Sequence, residues 1–354
     1  MTPRNLSIMA VVTAITVILA AAALFSQGDI VTANRSMERA FPDLVSRANE
    51  VAEISVTDSD GTATIRRDGE SWGLIERGGY PVATERVRRV VLSLTEARLV
   101  EPKTSQEDRY PRLEVEDPES EGARSRQLTL KDAEGETIVA TILGKRNPRL
   151  FGPGRSGVYL RRQGEIQAWL SDGDLELSSD VWDWLERVIL NVSQRDIAEI
   201  VINRYGKEAV RISRETEGSD EFTMANVPEG EKADPDALSR LAGTLSFVSV
   251  DDIKPASEIE FPERPSIATF TTFDGLQVKV TYAIVKAQTW GFFEAAVIEQ
   301  TSTDDDGSEQ TATEKAAEIN GRAEGWAFRL AVNQSQRLFT RAKDLLAKEG
   351  DGTS

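Results

Sequence analysis

The 354-residue chain carries 42 lysine and arginine residues against 59 aspartate and glutamate residues, which gives a net charge of −17. It contains neither cysteine nor histidine, so disulfides, thiolate and imidazole metal sites, cysteine nucleophiles and serine–histidine–aspartate hydrolysis are excluded. The negative charge is a poor match to nucleic acid, and the length suggests two domains or one duplicated domain.

The N-terminal sequence predicts a membrane anchor. Residues 6–25 contain no charge, proline or glycine, and at about 1.5 Å per residue they can span the roughly 30 Å hydrocarbon layer. A cleaved signal peptide is the alternative, because Ala20–Ala23 could suit a peptidase, but its apolar core is typically only about 7–15 residues long. We therefore expect an uncleaved transmembrane helix over 6–25. The residues predicted to contact the bilayer or other helices are Leu6, Ile8, Ala10, Val11, Ala14, Val17, Ala21 and Phe25.

The charges beside this segment predict its orientation. Arg4 precedes it and Asp29 follows it, and positive residues favour the cytoplasmic side. Residues 1–5 are therefore expected in the cytoplasm and the bulk of the chain outside it, as in a single-pass membrane protein whose body would be periplasmic if the cell is Gram-negative. Ala10, Ala14 and Ala21 share one helical face and are candidates for close helix contacts.

A linker over 26–48 is expected to join the anchor to a first α+β unit over 49–190. Pro42 suits the first turn of a short helix in this linker. Val87, Val90, Val91 and Leu94 give a later helix one apolar face. Alternating runs separated by Asp-Gly turns predict antiparallel strands. The predicted strands are Val51–Val56, Ala63–Arg67, Trp72–Ile75, Arg98–Glu101, Gln127–Lys131, Ile138–Leu143, Gly157–Arg161 and Ile166–Leu170, and a helix over Asp180–Val188 is predicted to close the unit.

The same order of elements returns in a second predicted unit over 191–347. Its predicted elements are a hairpin opening at Ile197–Ile200, a helix over Asp234–Leu245, a hairpin around Asp274, a strand over Gly325–Leu330 and a closing helix over Ser335–Ala347. The acidic stretch 299–318 is expected to form a mobile loop, and 348–354 a flexible tail. The predicted fold class is therefore α+β: an N-terminal transmembrane helix followed by two tandem, similar units with mainly antiparallel sheets.

Two motifs that imitate ligand sites are better interpreted as turns. Asp58, Asp60 and Gly61 resemble the start of a calcium loop but lack its distal glutamate. The glycine-rich run Phe151–Gly157 precedes a strand and is not followed by the lysine of a phosphate-binding loop. The sequence predicts no catalytic residue, no metal site and no cofactor.

Aromatic and basic residues supply the candidate binding positions. Basic residues are concentrated over 145–162, which indicates either a solvated strand face or a surface for an anionic ligand or an acidic partner. Trp182 and Trp184 either pack between the two units or remain exposed for a partner. The candidates for partner or ligand binding are Lys103, Tyr159, Arg161, Arg162, Trp169, Trp182 and Trp184.

Several short motifs resemble a bacterial family catalogued as domain of unknown function 4340. They are Phe41-Pro42-Asp43-Leu44, Trp72-Gly73, Gly78-Gly79-Tyr80-Pro81, Val158-Tyr159-Leu160-Arg161-Arg162 and Gln167-Ala168-Trp169-Leu170. The resemblance implies single-span exported proteins associated with ABC-type transport components, including an exported auxiliary subunit similar to those of the gliding-motility transporter. It assigns no catalytic residues.

These observations favour a non-enzymatic accessory subunit that docks on an ABC-type permease and ATPase or a related envelope complex, as a scaffold or a substrate-handling module. Two alternatives remain open. One is an envelope module that binds glycan or lipid through Tyr159, Arg161 and Trp169. The other is a glycan hydrolase that uses only carboxylates.

Overall fold

The computed structural model of the chain describes residues 38–148, 156–173, 175, 177–185, 188–298 and 311–347. The predicted membrane segment Leu6–Phe25 and the predicted tail 348–354 lie outside these residues. Within the described residues, no helix has the length and apolarity needed to cross a bilayer. The helices are α1 (Pro42–Arg47), α2 (Thr84–Glu96), α3 (Pro235–Ala242), α4 (Ala312–Ala323) and α5 (Val332–Leu338).

In the described part of the chain, eighteen strands form two nine-stranded sheets. The first sheet contains β1 (Glu53–Thr57), β2 (Thr62–Asp68), β3 (Ser71–Leu74), β4 (Tyr80–Val82), β5 (Arg98–Thr104), β6 (Arg126–Lys131), β7 (Thr137–Asn147), β8 (Gly157–Arg162) and β9 (Ala168–Asp172). The second contains β10 (Val188–Leu190), β11 (Ile197–Asn203), β12 (Val210–Ser213), β13 (Thr223–Met224), β14 (Val248–Pro255), β15 (Ser266–Thr272), β16 (Leu276–Val285), β17 (Gln288–Val297) and β18 (Trp326–Leu330). Every pairing among the described strands is antiparallel, which confirms the α+β class with antiparallel sheets.

Eight strands of each sheet follow one order. The first sheet runs β4-β3-β2-β1-β6-β7-β8-β9-β5, and the second, taken from its far edge, runs β13-β12-β11-β15-β16-β17-β18-β14-β10. Removing β4 from the first sheet and β10 from the second leaves two series that match strand for strand. In both series, a helix follows the first hairpin in the sequence and precedes the strand at the other end of the series. This helix is α2 before β5 in the first sheet and α3 before β14 in the second.

Alternating side chains explain how the sheets bury one face. In β1 the side chains of Ile54 and Val56 are fully buried, whereas their chain neighbours are only partly covered. Val87 and Leu94 on the apolar face of α2 join the same core. One continuous hydrophobic cluster contains buried residues from both sheets, so the two halves share a core.

The chain joins the first sheet from residue 38 onward. The amide of Ala40 donates to the carbonyl of Ala97 at 2.8 Å, and the amide of Leu99 donates to the carbonyl of Glu38 at 2.8 Å. The short segment 38–40 therefore extends the sheet at the outer edge of β5. The predicted short helix is present as α1, with Pro42 in its first turn and Leu44 fully buried.

Tyr80 joins the other edge of the first sheet to the second sheet. Its ring lies edge-on to those of Trp326 and Phe328, with centroid distances of 5.0 and 6.1 Å. Its hydroxyl donates to the carbonyl of Arg322 at 3.2 Å. Nearby, Arg77 Nε lies 3.3 Å from Asp252 Oδ1. Strand β4 is therefore a joint between the two sheets.

The predicted helix over Asp180–Val188 is wrong. Only Val181–Trp184 form a single 3₁₀ turn, Leu185 is extended, and strand β10 follows. Asp180 caps the turn by accepting the amide of Trp182. Because β10 then pairs with β14, the backbone bonds that a longer helix would need are made between strands instead.

The predicted closing helix over Ser335–Ala347 is also wrong in extent. Helix α5 ends at Leu338, and a separate 3₁₀ turn covers Ala342–Leu345. The guanidinium of Arg204 donates to the carbonyls of Phe339 and Thr340 at 2.8 Å each. These contacts satisfy carbonyls that a continuing helix would have paired internally.

The predicted mobile loop over 299–318 is wrong for its second part, while 299–310 lie outside the described residues. Helix α4 begins at Ala312, directly after a capping box in which Thr311 and Glu314 satisfy each other's amides. Its buried face consists of Ala312, Ala316, Ile319 and Ala323. This face is mostly alanine, so the segment has little hydrophobicity despite its helical spacing.

Candidate docking surface

Two β-bulges direct lysine side chains toward one tyrosine on the first sheet. On β5, Pro102 pairs with Trp169 and Thr104 with Ala168, which leaves Lys103 as the extra residue of a bulge. On β7, the register with β8 shifts between Leu143 and Arg146. Lys145 lies in that second bulge. Bulges change the direction of a side chain relative to the sheet and are frequent near binding sites.

Both ammonium groups lie close to the Tyr159 ring. Lys103 Nζ and Lys145 Nζ are each 6.0 Å from the ring centroid, which is at the limit of a cation–π contact. Lys103 Nζ also pairs with Glu101 Oε2 at 2.6 Å. Lys145 is exposed and Tyr159 is half-buried. We call Lys103, Lys145 and Tyr159 the Tyr159 patch.

A close backbone contact holds the β7 bulge in place. The amide of Lys145 donates to the carbonyl of Leu113 at 3.1 Å. At Gly144, a Cβ atom would collide with the same carbonyl oxygen and would lie 2.8 Å from that of Glu114. Glycine is therefore required at this position, and the patch rests on a fixed backbone.

Arg161 supports the patch from within the structure. It is only 8% exposed. Its Nε donates to the carbonyl of Val115 at 3.0 Å, and its Nη2 donates to Asp117 Oδ1 at 2.6 Å. The guanidinium also covers the ring of Tyr110 at 4.6 Å, and Tyr110 belongs to the small apolar cluster against which Tyr159 packs. Arg161 therefore holds the segment 110–117 against the sheet. Its guanidinium N–H groups are used in these contacts within the protein.

The predicted residues Arg162 and Trp169 lie apart from this patch. Arg162 Nε donates to the carbonyl of Ala40 at 2.9 Å, so it secures the segment that enters the sheet. Trp169 pairs with Leu160, whereas Tyr159 pairs with Leu170. Because successive strand residues point to opposite faces, Trp169 lies on the core side, where it packs half-buried against the main hydrophobic cluster.

Trp182 and Trp184 also occupy separate positions. Trp182 is half-buried at the joint between the sheets, where the guanidinium of Arg77 lies 5.2 Å from its ring. Trp184 is 4% exposed, and its indole N–H donates to the carbonyl of Ser178 at 2.9 Å. Of the seven predicted binding residues, the structure brings together Lys103 and Tyr159, and Arg161 lies two residues after Tyr159 on β8. Lys145, which the predicted set omits, completes the patch.

The Asp58 motif forms the hairpin turn that the sequence favours. Asp58 Oδ1 accepts the amides of Asp60 at 2.8 Å and Gly61 at 3.2 Å, and this turn joins β1 to β2. In the part of the chain that the structure describes, no group of three or more acidic side chains is arranged to hold a metal ion.

A protein-family model described as "Domain of unknown function (DUF4340)" matches residues 72–261. This range covers just over half of the 354 residues. It begins in β3, includes the Tyr159 patch and the joint at Tyr80, and ends after β14 of the second sheet. No curated protein matches the chain.

Proposed function

Since the chain belongs to the DUF4340 family, we propose that it is an accessory subunit of an ABC-type transporter or a related envelope complex. In this proposal Leu6–Phe25 anchors the protein in the bacterial inner membrane, and the two-sheet body lies on the periplasmic side. The Tyr159 patch docks on a periplasmic surface of the permease or of an exported auxiliary subunit. The protein acts there as a scaffold or in handling the transported substance.

The connection between anchor and body carries the proposal. Twelve residues, 26–37, separate Phe25 from Glu38, and a chain of this length reaches at most about 40 Å even when fully extended. From Glu38 the backbone is hydrogen-bonded to the edge of β5. An anchored body would therefore be tethered to the membrane through the β5 edge of its first sheet, within about 40 Å of the bilayer.

The Tyr159 patch lies on that same side of the first sheet. Lys103 is part of β5, and Tyr159 is on β8, two strands away in the order β8-β9-β5. At about 4.8 Å between neighbouring strands, the ring lies roughly 10 Å from the β5 edge. The second sheet lies beyond β4, at the opposite edge. A patch in this position suits a partner that is itself in the membrane.

The chemistry of the patch suits a protein surface with an acidic rim. An aromatic ring with a fixed backbone beneath it provides apolar contact area at little cost in conformational entropy, and flanking ammonium groups favour carboxylates on the partner. Nearby, Ile166 is 65% exposed, and its carbonyl accepts the hydroxyl of Tyr110 at 2.5 Å. It is connected to the patch through Tyr110, which belongs to the cluster against which Tyr159 packs.

Copurification from native membranes tests this function. The full chain carrying Tyr159→Ala together with Lys145→Glu is expected to lose its permease and ATPase partners, while the unchanged chain retains them. Lys279→Glu is the matched control, because this lysine is on the exposed face of the second sheet, paired with Glu294 at 2.7 Å. If the unchanged chain brings down no transport component, the proposal is wrong.

The purified protein also distinguishes docking on a transporter from direct binding to envelope lipid or glycan. A protein that uses the patch for an anionic lipid or glycan would bind purified vesicles or cell-wall fragments, and the patch variant would lose that binding. That result without any copurifying permease would replace transporter docking with the envelope-binding alternative.

We also infer that the body consists of two copies of one ancestral unit, over 49–190 and 191–347. The matching strand orders and the matching positions of α2 and α3 support this inference. An experimental structure whose two eight-strand series failed to superpose would contradict it.

A further inference from the structure

A second polar site lies on the helix side of the first sheet, away from the Tyr159 patch. A cleft of about 680 Å³ opens between α2 and the segment 177–184. Its volume is within the range of about 300–1,000 Å³ that is typical of small-ligand sites. Arg86, Arg89 and Arg126 line it. Three arginines thus line one cavity of a protein whose net charge is −17.

Helical spacing explains why two of these arginines share the cleft. Arg86, Arg89 and Ser93 follow one stripe of α2, since residues three and four apart occupy the same helical face. Arg88 lies outside this stripe and faces Glu85 at 3.8 Å. The helix therefore presents two positive charges to the cleft and a third, already paired, to solvent.

Arg126 comes from the sheet and is fixed in place. Its Nη1 donates to the carbonyl of Leu177 at 2.6 Å. That bond uses one of the five N–H groups of the guanidinium, and the contact keeps the side chain beside the wall formed by Leu177 and Trp184. The charge of Arg126 also acts on the Asp58 carboxylate, whose pKa it lowers. Both wall residues are buried, at 5% and 4% exposure. An apolar wall strengthens electrostatic interactions beside it.

Among the residues that the structure describes, the two helix arginines have no acidic partner. Within the described part of the chain, neither Arg86 nor Arg89 forms an ion pair. Asp183 is the carboxylate that lines the cleft there, and it is exposed. Guanidinium groups bind carboxylate and phosphate oxygens with two parallel hydrogen bonds.

We propose that this cleft binds a small ligand that carries two or more phosphate or carboxylate groups. Arg86 and Arg89 hold one anionic group from the helix, and Arg126 holds another from the sheet. The hydroxyls of Ser93 and Ser178 border the same cavity. The negative charge of the body opposes the approach of an anion, so binding depends on these local contacts. This site stands independently of the transporter-docking proposal.

Calorimetric titration of the full chain in detergent tests the proposal. The probes are pyrophosphate and citrate, which present the two kinds of anionic group, and acetate, which carries a single charge. Binding of at least one polyanion is expected, weakened by added salt, with no measurable binding of acetate. Arg86→Gln combined with Arg89→Gln is expected to weaken binding by about tenfold or more, because charge-assisted hydrogen bonds are lost.

Two further variants make the test decisive. Arg88→Gln removes one positive charge from the same helix outside the cleft and is expected to change the affinity by less than about twofold. Asp183→Asn removes the carboxylate at the cleft and is expected to tighten binding. Absence of binding to both polyanions, equal weakening by Arg88→Gln, or weaker binding in Asp183→Asn would each overturn the proposal. Thermal unfolding of each variant verifies that the fold is intact.

Discussion

The ring of Tyr80 meets the ring of Trp326 edge to face, with the centroids 5.0 Å apart and the planes inclined by 77°. This contact connects β4 of the first sheet to β18 of the second. Beside it, Gly78 has a φ of +66°, and a Cβ atom there would lie 2.5 Å from Pro255 Cγ. The short Gly78-Gly79-Tyr80 sequence thus combines a tight turn, a close backbone approach and an aromatic anchor.

Tyr80 is expected to hold the two sheets together. Tyr80→Ala should lower the free energy of unfolding by about 3–5 kcal/mol, as for other buried aromatic residues, and should separate the unfolding of the two sheets into distinct steps. Tyr80→Phe, which loses the bond to the Arg322 carbonyl, should cost about 1 kcal/mol. Denaturant unfolding measures both. Tyr205→Ala, at a ring 70% exposed, is the control, and an equal loss there would contradict this role.

Arg161 is expected to stabilise the fold and not to bind a ligand directly. Arg161→Gln should lower the free energy of unfolding by about 1–2 kcal/mol, since it leaves the carbonyl of Val115 without its donor, whereas the Asp117 carboxylate is 72% exposed and is solvated by water. Limited proteolysis should then cut within 107–125. Arg124→Gln, at a side chain 75% exposed, should show neither effect. Full stability in Arg161→Gln would show that these hydrogen bonds are dispensable.

Asn320 replaces a missing strand neighbour of β17. Its side-chain amide accepts the Ala295 N–H at 2.8 Å and donates to the Ala295 carbonyl at 2.7 Å. Asn320→Ala should cost about 2–3 kcal/mol, because two backbone groups lose their partners. It should also speed hydrogen exchange at the Ala295 amide. Thr313→Ala, at an exposed position of the same helix, is the comparison. Unchanged exchange would exclude this bridging role.

Two aspartates are expected to contribute to the loss of stability in acid. Burial alone would raise the pKa of Asp58, but hydrogen bonds from Ser179 and from the amides of Asp60 and Gly61, with the charge of Arg126, hold that pKa below its usual value. Burial likewise opposes ionisation of Asp274, while Thr272, the Leu276 amide and Lys315 lower its pKa.

Because the folded pKa lies below the unfolded one, each group stabilises the fold above about pH 4. This stabilisation is lost as the pH falls through the folded pKa. Asp58→Asn and Asp274→Asn should therefore flatten the decline of the melting temperature below about pH 4. Asp68→Asn, at the exposed end of β2, should leave the decline unchanged. Equal slopes in all three variants would show that neither aspartate contributes.

Local sequence patterns correctly predicted those strands and helices whose buried residues follow a regular spacing. Alternation located β1 through Ile54 and Val56, and helical spacing located α2 through Val87 and Leu94. The segment Asp180–Val188 was misassigned because its β-branched end pairs with β14, a contact far away in the sequence. In α4 the buried face is mostly alanine, so a capping box was the stronger signal, and the acidic composition of the preceding stretch obscured it.

The candidate site was predictable only in part for a similar reason. The sequence identified Lys103 and Tyr159, but their meeting depends on bulges in two strands, and Lys145 reaches the ring only because Gly144 permits the approach of Leu113. Arginine is a common binding residue, but Arg161 donates instead to the carbonyl of Val115, which is distant in the sequence. The arginine cleft likewise depends on packing α2 against the segment 177–184, which no local pattern indicates.

Photo-crosslinking in native membranes tests the docking account most directly. A photoreactive amino acid replaces Tyr159, and a second variant carries it at Ile284, which is 62% exposed on the second sheet. The account predicts crosslinks from position 159 to an integral permease or an exported auxiliary subunit, and few from position 284. Crosslinks from position 159 to lipid alone, or the same protein partners from both positions, would contradict it.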